Sequence, residues 1–360
     1  MIRVLLAEDS AVTREYLVYV LGQDPALQVV GTAQNGLEAV EQAQRLRPDL
    51  ILMDVHMPRL NGYEATRQIM ERAPTPIVML SASFSRDDVA MTFEALTAGA
   101  LTVVEKPDGP EHPNHSETTR QLVETLKLMA EVKVVRRWPR ARRQGLGVGG
   151  QGLGVRDREA IPRPRPPAST PRKIQLVAIG ASTGGPAAIA EILRKLPEAL
   201  GAPILVVQHV TPGFSEGLAV WLGQGARLRV KLAEPGEGVR PETVYLAPDG
   251  WQMGVTRDGR IRLTQEPAEG GFCPSVSHLL QSVAAAYGPS ALGILLTGMG
   301  RDGAMGLLQL REAGGVTVAQ NEETSVVFGM PGEAIRLGAA EHVLSPERIA
   351  GAIRSLVTHT

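Results

Sequence analysis

Three side chains at the ends of apolar runs form a set able to cleave an acyl bond. Ser182 lies in Gly180-Ala181-Ser182-Thr183-Gly184, a G-x-S-x-G run directly after the apolar Leu176-Val177-Ala178-Ile179. That pattern holds a serine hydroxyl up on a sharp strand-to-helix turn. Its glycines let the backbone bend and let a substrate come close. The amides that open the following helix can stabilise an oxyanion. An ordinary Gly-rich turn or a phosphate cradle is the plainer alternative. The cradle fits poorly, because no Lys follows the glycines and the spacing is not G-x-G-x-x-G. A serine also needs a base, and the base needs an orienting carboxylate. His209 ends the apolar run Ile204-Leu205-Val206-Val207-Gln208, and Asp302 sits in Thr297-Gly298-Met299-Gly300-Arg301-Asp302-Gly303 after Ala291–Leu296. Taken singly, His209 reads as a satisfied strand-end histidine and Asp302 as a Gly-flanked turn or helix cap. The chain order Ser, His, Asp is that of neither the α/β-hydrolases, chymotrypsin nor subtilisin, so a triad here requires its own architecture.

A second set lies nearer the N-terminus: Glu8, Asp9, Asp54, Ser81 and Lys106. Each alone reads as a helix cap or surface charge. Converging carboxylates repel unless a cation sits among them, and oxygen-only ligation suits Mg²⁺. A hydroxyl and an ammonium would then face a phosphoryl group on one carboxylate.

The elements that must position these residues follow from hydrophobic patterning. Strands are expected at Arg3–Glu8, Gln28–Ala33, Leu50–Met53, Ile77–Ser81 and Leu101–Glu105. Helices are expected from Ser10 as N-cap to about Leu21, and at Gly36–Arg47, Asn61–Arg72, Arg86–Ala98 and Glu117–Lys133. Alternating βα units imply a parallel sheet covered on both faces, with ligands beyond the strands' carboxyl ends. All five acidic, hydroxyl and ammonium residues fall at such ends. The C-terminal part reads likewise as α/β. Strands are expected at Pro203–Gln208, Ala291–Leu296 and Val316–Ala319, with helices from Phe214 to about Leu222, at Ser277–Tyr287, from Ala304 to about Ala313 and at Glu347–Val357. Short strands and turns fill Arg227–Glu266.

The chain has 360 residues, 43% hydrophobic and 21% charged, which suits a globular protein of about two domains. One cysteine, Cys273, excludes an intramolecular disulfide and points to a reducing cytoplasm. No base-bearing motif adjoins it, so it is a poor candidate for a catalytic thiol. No apolar run has the length of a membrane helix, and the N-terminus meets Glu8 and Asp9 too soon for a signal peptide. Charge divides the chain. Residues 1–130 carry 11 Lys/Arg against 18 Asp/Glu, 131–173 carry 12 against 3, and 174–360 carry 14 against 17. The expected organisation is an N-terminal domain over 1–134, a flexible basic Gly/Pro/Arg linker over 135–172, and a catalytic domain over 173–360. Trp138 is expected to pack on the end of the preceding helix. The linker's arginines lack the aromatic interleaving of a nucleic-acid arm.

The N-terminal motifs Glu8-Asp9, Met53-Asp54-Val55-His56-Met57-Pro58, Ser81-Ala82 and Glu105-Lys106-Pro107 resemble those of two-component receiver domains, which have a flavodoxin-like (βα)5 fold. The resemblance implies Asp54 as phosphoacceptor, Glu8, Asp9 and Asp54 as Mg²⁺ ligands, and Ser81 and Lys106 as phosphoryl contacts. Glu8-Asp9 replaces the usual Asp-Asp, and Val103 stands where an aromatic switch residue is frequent. Residues 173–360 resemble the catalytic domain of chemotaxis-type protein-glutamate methylesterases, the CheB family, a doubly wound parallel-sheet esterase fold. The motifs are Gly180–Pro186, Gln208-His209, Pro212-Gly213-Phe214, Leu246-Ala247-Pro248, Leu296–Gly303 and Ser325–Pro331. The resemblance implies Ser182 as nucleophile, His209 as general base and acid, Asp302 as orienting carboxylate, and amides near Thr183 or Met299 as oxyanion donors. Phe272-Cys273-Pro274-Ser275-Val276-Ser277 and Ala319-Gln320-Asn321-Glu322 depart from the family's usual wording, and neither is expected to touch the triad.

The implied activity is phosphorylation-controlled hydrolysis of glutamate methyl esters on receptor cytoplasmic domains, with deamidation of receptor glutamines as a slower companion. A chemotaxis-type histidine kinase is the implied phosphodonor. The esterase reaction is expected to need no cofactor, and neither nucleic-acid binding nor membrane insertion is expected. Two other classes compete. One is a catalytically silent, phosphorylation-dependent binding module or phosphate sink, against which the intact Ser182, His209 and Asp302 argue. The other is a DNA-binding response regulator, against which the acidic C-terminal part and its lack of a recognition-helix pattern argue.

Overall fold

The structure, a computed structural model, describes residues 1–81, 93–109, 111–132, 134, 173–266 and 271–358. The expected linker over 135–172, Trp138 within it, and residues 86–92 of the fourth expected helix lie outside the described residues.

The N-terminal unit runs β1 (Ile2–Ala7), α1 (Ala11–Gly22), β2 (Leu27–Ala33), α2 (Gly36–Leu46), β3 (Leu50–Asp54), α3 (Gly62–Arg72), β4 (Ile77–Ser81), α4 (described over 93–98), β5 (Thr102–Glu105) and α5 (His115–Ala130). Its five parallel strands are ordered β2-β1-β3-β4-β5. Side chains alternate between two apolar layers, Ile51, Met53, Ile77 and Met79 on one face and Leu50, Leu52, Val78 and Leu80 on the other. Burial on both faces is why these strands read as unbroken apolar runs. Side-chain caps start three helices: Ser10, Asn35 and Asn61 accept from Thr13, Glu38 and Glu64 amides.

The C-terminal unit runs β6 (Leu176–Ala181), α6 (Gly185–Arg194), β7 (Ile204–Gln208), α7 (Ser215–Gly225), β8 (Arg229–Leu232), β9 (Thr243–Leu246), β10 (Gln252–Val255), β11 (Ile261–Thr264), α8 (Val276–Tyr287), β12 (Ala291–Leu295), α9 (Ala304–Glu312), β13 (Val316–Gln320), α10 (Met330–Arg336), β14 (His342–Leu344) and α11 (Pro346–Thr358). Seven parallel strands are ordered β14-β13-β12-β6-β7-β9-β8, and β10 and β11 form a separate hairpin. The chain leaves β6 toward β7 on one side and returns as β12 on the other. The carboxyl end of β6 is therefore the crevice where a doubly wound sheet binds ligands. Both units are the parallel α/β architectures expected. No helix among the described residues is long and apolar enough to cross a membrane.

The two units touch through aromatic rings. Phe93 of α4 is buried, stacks on Trp221 of α7 with centroids 5.3 Å apart, and meets Phe214 edge-on at 6.4 Å.

Candidate active site

Ser182 follows the last residue of β6. The turn beyond it depends on Gly184, whose φ is +77° and where a Cβ would lie 2.5 Å from Val326 Cβ. The Ser182 carbonyl accepts from the Gly185 amide at 2.8 Å as α6 begins. The loop after β12 passes so close that a Cβ on Gly298 would lie 2.7 Å from Ser182 Cβ. Met299, the next residue, lines a neighbouring cavity together with Thr183. The amides of Thr183 and Met299, the expected oxyanion donors, make no hydrogen bond among the described residues.

His209 continues β7, its amide donating to the Ala181 carbonyl at 3.0 Å. Its Nε2 meets Asp302 Oδ2 at 3.0 Å. With the proton on Nε2, the Nδ1 lone pair is the basic site. The ring is thus used in the opposite sense to the serine proteases, whose carboxylate takes Nδ1. No hydrogen bond joins the Ser182 hydroxyl to His209 among the described residues, though both line one cavity of about 610 Å³. Phe272 lies flat on the imidazole, with centroids 4.5 Å apart and planes 4° from parallel.

Asp302 is buried against the start of α8. Its Oδ1 accepts from Ser275 Oγ at 3.0 Å and the Ser277 amide at 3.0 Å. Its Oδ2 accepts from the Val276 amide at 2.7 Å and from His209. Burial works to raise its pKa, but the bonds from His209 and Ser277 outweigh burial and hold the carboxyl well below the usual range. A helix N-terminus adds favourable potential. Here the structure corrects an expectation. The segment Phe272–Ser277 touches the triad at two places, the His209 ring and the Asp302 carboxylate, and Ser277 Oγ also accepts from the Gly303 amide at 2.7 Å. Ser275 as the N-cap of an apolar-periodic run (Val276, Leu279, Leu280, Val283) was the signal available for it. Cys273 lines the same cavity, and burial pushes its thiol pKa up.

The N-terminal unit supplies a further wall of that cavity, through Phe93, Leu96, Leu101, Thr102, Val103, Gln121 and Thr125. The position where an aromatic switch residue is frequent thus faces the Ser182 cleft.

At the carboxyl edge of the N-terminal sheet, Glu8 and Asp54 are buried and Asp9 is exposed, with ligand oxygens all within 4.8 Å of one another. Lys106 Nζ lies 2.7 Å from Glu8 Oε2 and 2.8 Å from Asp54 Oδ2. Burial raises the Glu8 pKa, and the Asp54 charge adds to it against the Lys106 hydrogen bond. For Lys106, burial works to lower the ammonium pKa, but the bonds to Asp54 and Glu8 and the charges of those carboxylates together outweigh burial and raise it. Ser81, at the end of β4, is buried, and its carbonyl accepts from the Lys106 amide at 2.9 Å. An all-oxygen set with crowded, desolvated negative charge fits a hard dication such as Mg²⁺.

Residues 177–353 match the family model described as CheB methylesterase, and residues 4–114 match that of the response regulator receiver domain. A chain of Syntrophus aciditrophicus named protein-glutamate methylesterase/protein-glutamine glutaminase 1 is 48% identical, over 97% of this chain and 97% of its own length. One of Nitrosospira multiformis, named protein-glutamate methylesterase/protein-glutamine glutaminase, is 49% identical over 99% and 97%. The crystal structure of the Thermotoga maritima CheB methylesterase catalytic domain covers 51% of this chain and all of its own, with 38% identity and a TM-score of 0.50.

Proposed function

From the premise that this chain belongs to the CheB methylesterase family, with a receiver domain at its N-terminal end, we propose a phosphorylation-controlled hydrolase of glutamate methyl esters on chemotaxis-type receptors. The observation that carries the reading is the four-fold bonded Asp302 carboxylate held against His209, whose ring lines one cavity with Ser182.

The Ser182 hydroxyl attacks the ester carbonyl while His209 Nδ1 takes its proton. Asp302, kept anionic, stabilises the imidazolium and fixes its tautomer. The Thr183 and Met299 amides receive the oxyanion. The imidazolium returns the proton to the departing methoxide, and methanol leaves. Water, deprotonated by His209, then cleaves the acyl-serine and frees the glutamate side chain. A glutamine side chain enters the same sequence with ammonia as the leaving group, more slowly because an amide leaves less readily.

Control resides in the receiver domain, proposed as residues 1–134, joined by the linker over 135–172 to the catalytic domain over 173–360. Asp54 accepts the phosphoryl group from a histidine kinase, and Ser81 and Lys106 contact it. Glu8, Asp9 and Asp54 would hold Mg²⁺, which when bound neutralises the acidic cluster and the incoming phosphate oxygens. In the unphosphorylated chain α4, β5 and α5 wall the Ser182 cavity, so a receptor helix is excluded until the two units part. The cytoplasm is the compartment this partnership requires.

Methanol release from methylated receptor membranes tests the reading. Ser182→Ala should lower release by at least about 10³-fold, and a small-molecule phosphodonor with Mg²⁺ should raise wild-type release. No release by folded wild type that still takes phosphate on Asp54 would leave a binding module instead.

A further inference from the structure

The hydrogen-bond ladder between β6 and β7 ends just short of the reacting groups. Its last rung is the His209 amide to the Ala181 carbonyl. Past it the chains part, because the Ser182 amide turns to the Thr297 carbonyl at 3.0 Å, on the β12 side. That rung ties the peptide group joining Ala181 to Ser182 to the His209 amide, and beyond it no backbone hydrogen bond links the two chains among the described residues. The Gln208 side chain fills this gap. It is 5% exposed, and its Nε2 donates to the Ser182 carbonyl at 2.8 Å and to the His209 carbonyl at 2.9 Å. Both amide hydrogens are used on the two residues whose distance decides proton transfer.

The other end of the carboxamide has no such use. Gln208 Oε1 is buried and accepts no hydrogen bond among the described residues. Turning the amide over would set its oxygen against two carbonyls, so the two donations fix its orientation. A buried acceptor left unpaired costs stability, and an apolar side chain of the same length would not carry that cost. The neighbouring glycine makes room for it. A Cβ on Gly185 would lie 2.0 Å from Gln208 Oε1, whereas only Gly184 of the pair has a left-handed backbone. Two features that do not favour stability, an orphaned oxygen and a missing side chain, therefore serve one contact.

We propose that Gln208 is a positioning residue whose carboxamide acts as an extra rung, holding the Ser182 and His209 backbones at the separation the proton transfer needs. The inference rests on the esterase reading above and names a residue outside the triad and the oxyanion donors.

Gln208→Met in the full chain keeps the length and removes both donors. Methanol release, phosphonylation of Ser182 by a fluorophosphonate and thermal unfolding are measured together, with Ser182→Ala alongside. The expected result is kcat lower by about 10–100-fold, with KM within about two-fold of wild type. The phosphonylation rate constant should fall in parallel, and the thermal midpoint should be unchanged or higher. A kcat within about two-fold of wild type overturns the proposal. So does a loss of activity accompanied by a lower thermal midpoint and an unaltered phosphonylation rate constant in the folded molecules. If Gln208→Met does not fold, Gly185→Ala, which crowds the carboxamide with Gln208 in place, must show the same fall in phosphonylation rate or the proposal is lost. Methanol release that survives Ser182→Ala would instead remove the nucleophile assignment, whatever Gln208 does.

Discussion

Asp302 and the Glu8–Asp54 pair are both buried carboxylate centres at the carboxyl edge of a parallel sheet, and they are wired in opposite ways. Asp302 accepts four hydrogen bonds, three of them from the first residues of one helix and its cap. Its pKa is held far down despite burial. Glu8 is also buried, yet burial and the adjacent Asp54 charge outweigh its bond to Lys106 and push its pKa up. The first centre is saturated with donors and holds one charge in one place. The second is short of positive charge, which suits it to a cation. The same residue type thus serves constancy or change according to the donors around it.

The sharpest way to break the contrast is Asp302→Asn. The amide oxygen in the place of Oδ1 can still accept from Ser275 Oγ and the Ser277 amide, but the amide nitrogen in the place of Oδ2 then faces His209 and the Val276 amide, losing the latter bond and favouring the other imidazole tautomer. A fall in kcat of about 10²–10⁴-fold is expected, with little change in KM, measured as methanol release. The same variant tests the electrostatics. Asp302 has a folded-state pKa below its ordinary 3.8, so its contacts add stability above that pH and lose it as pH falls through the folded value. Wild type should therefore lose stability more steeply than Asp302→Asn below about pH 3.8, measured as urea midpoints on either side of that pH. At the other centre the sign reverses. Glu8, with its pKa raised, is a liability when charged, and a dication relieves it. Mg²⁺ should stabilise wild type by about 1.4 kcal/mol at about ten-fold excess over its dissociation constant. Glu8→Gln should respond less, read as a thermal shift with and without chelator. An equal shift in both would show that Glu8 is not a ligand.

Most of both sheets was legible because their strands are buried on both faces and flanked by turn residues. The observed ends fall within one or two residues of the expected ones for most strands. The exposed, three-residue β14 and the seven-residue α10 carry no such signal, and neither was anticipated as an element. Of the site, the residue types at the strand ends were visible. Their supports were not, because each is a tertiary contact across a long stretch of chain. Ser275 reaches Asp302 from 27 residues away, and nothing in Phe272-Cys273-Pro274 announces a ring lying on His209. The orientation of the imidazole, the extra rung at Gln208 and the contact of Phe93 with α7 depend on how surfaces meet, which periodicity does not encode.

The Phe93–Trp221 stack has an optical consequence. The indole belongs to the catalytic unit and the ring lying on it to the receiver. Separation of the two exchanges a phenyl face for water, so Trp221 emission should move to longer wavelength. The seam between the units therefore contains its own dye. Stopped-flow fluorescence after addition of phosphodonor can time the opening of the cleft against the appearance of methanol in a single unlabelled sample.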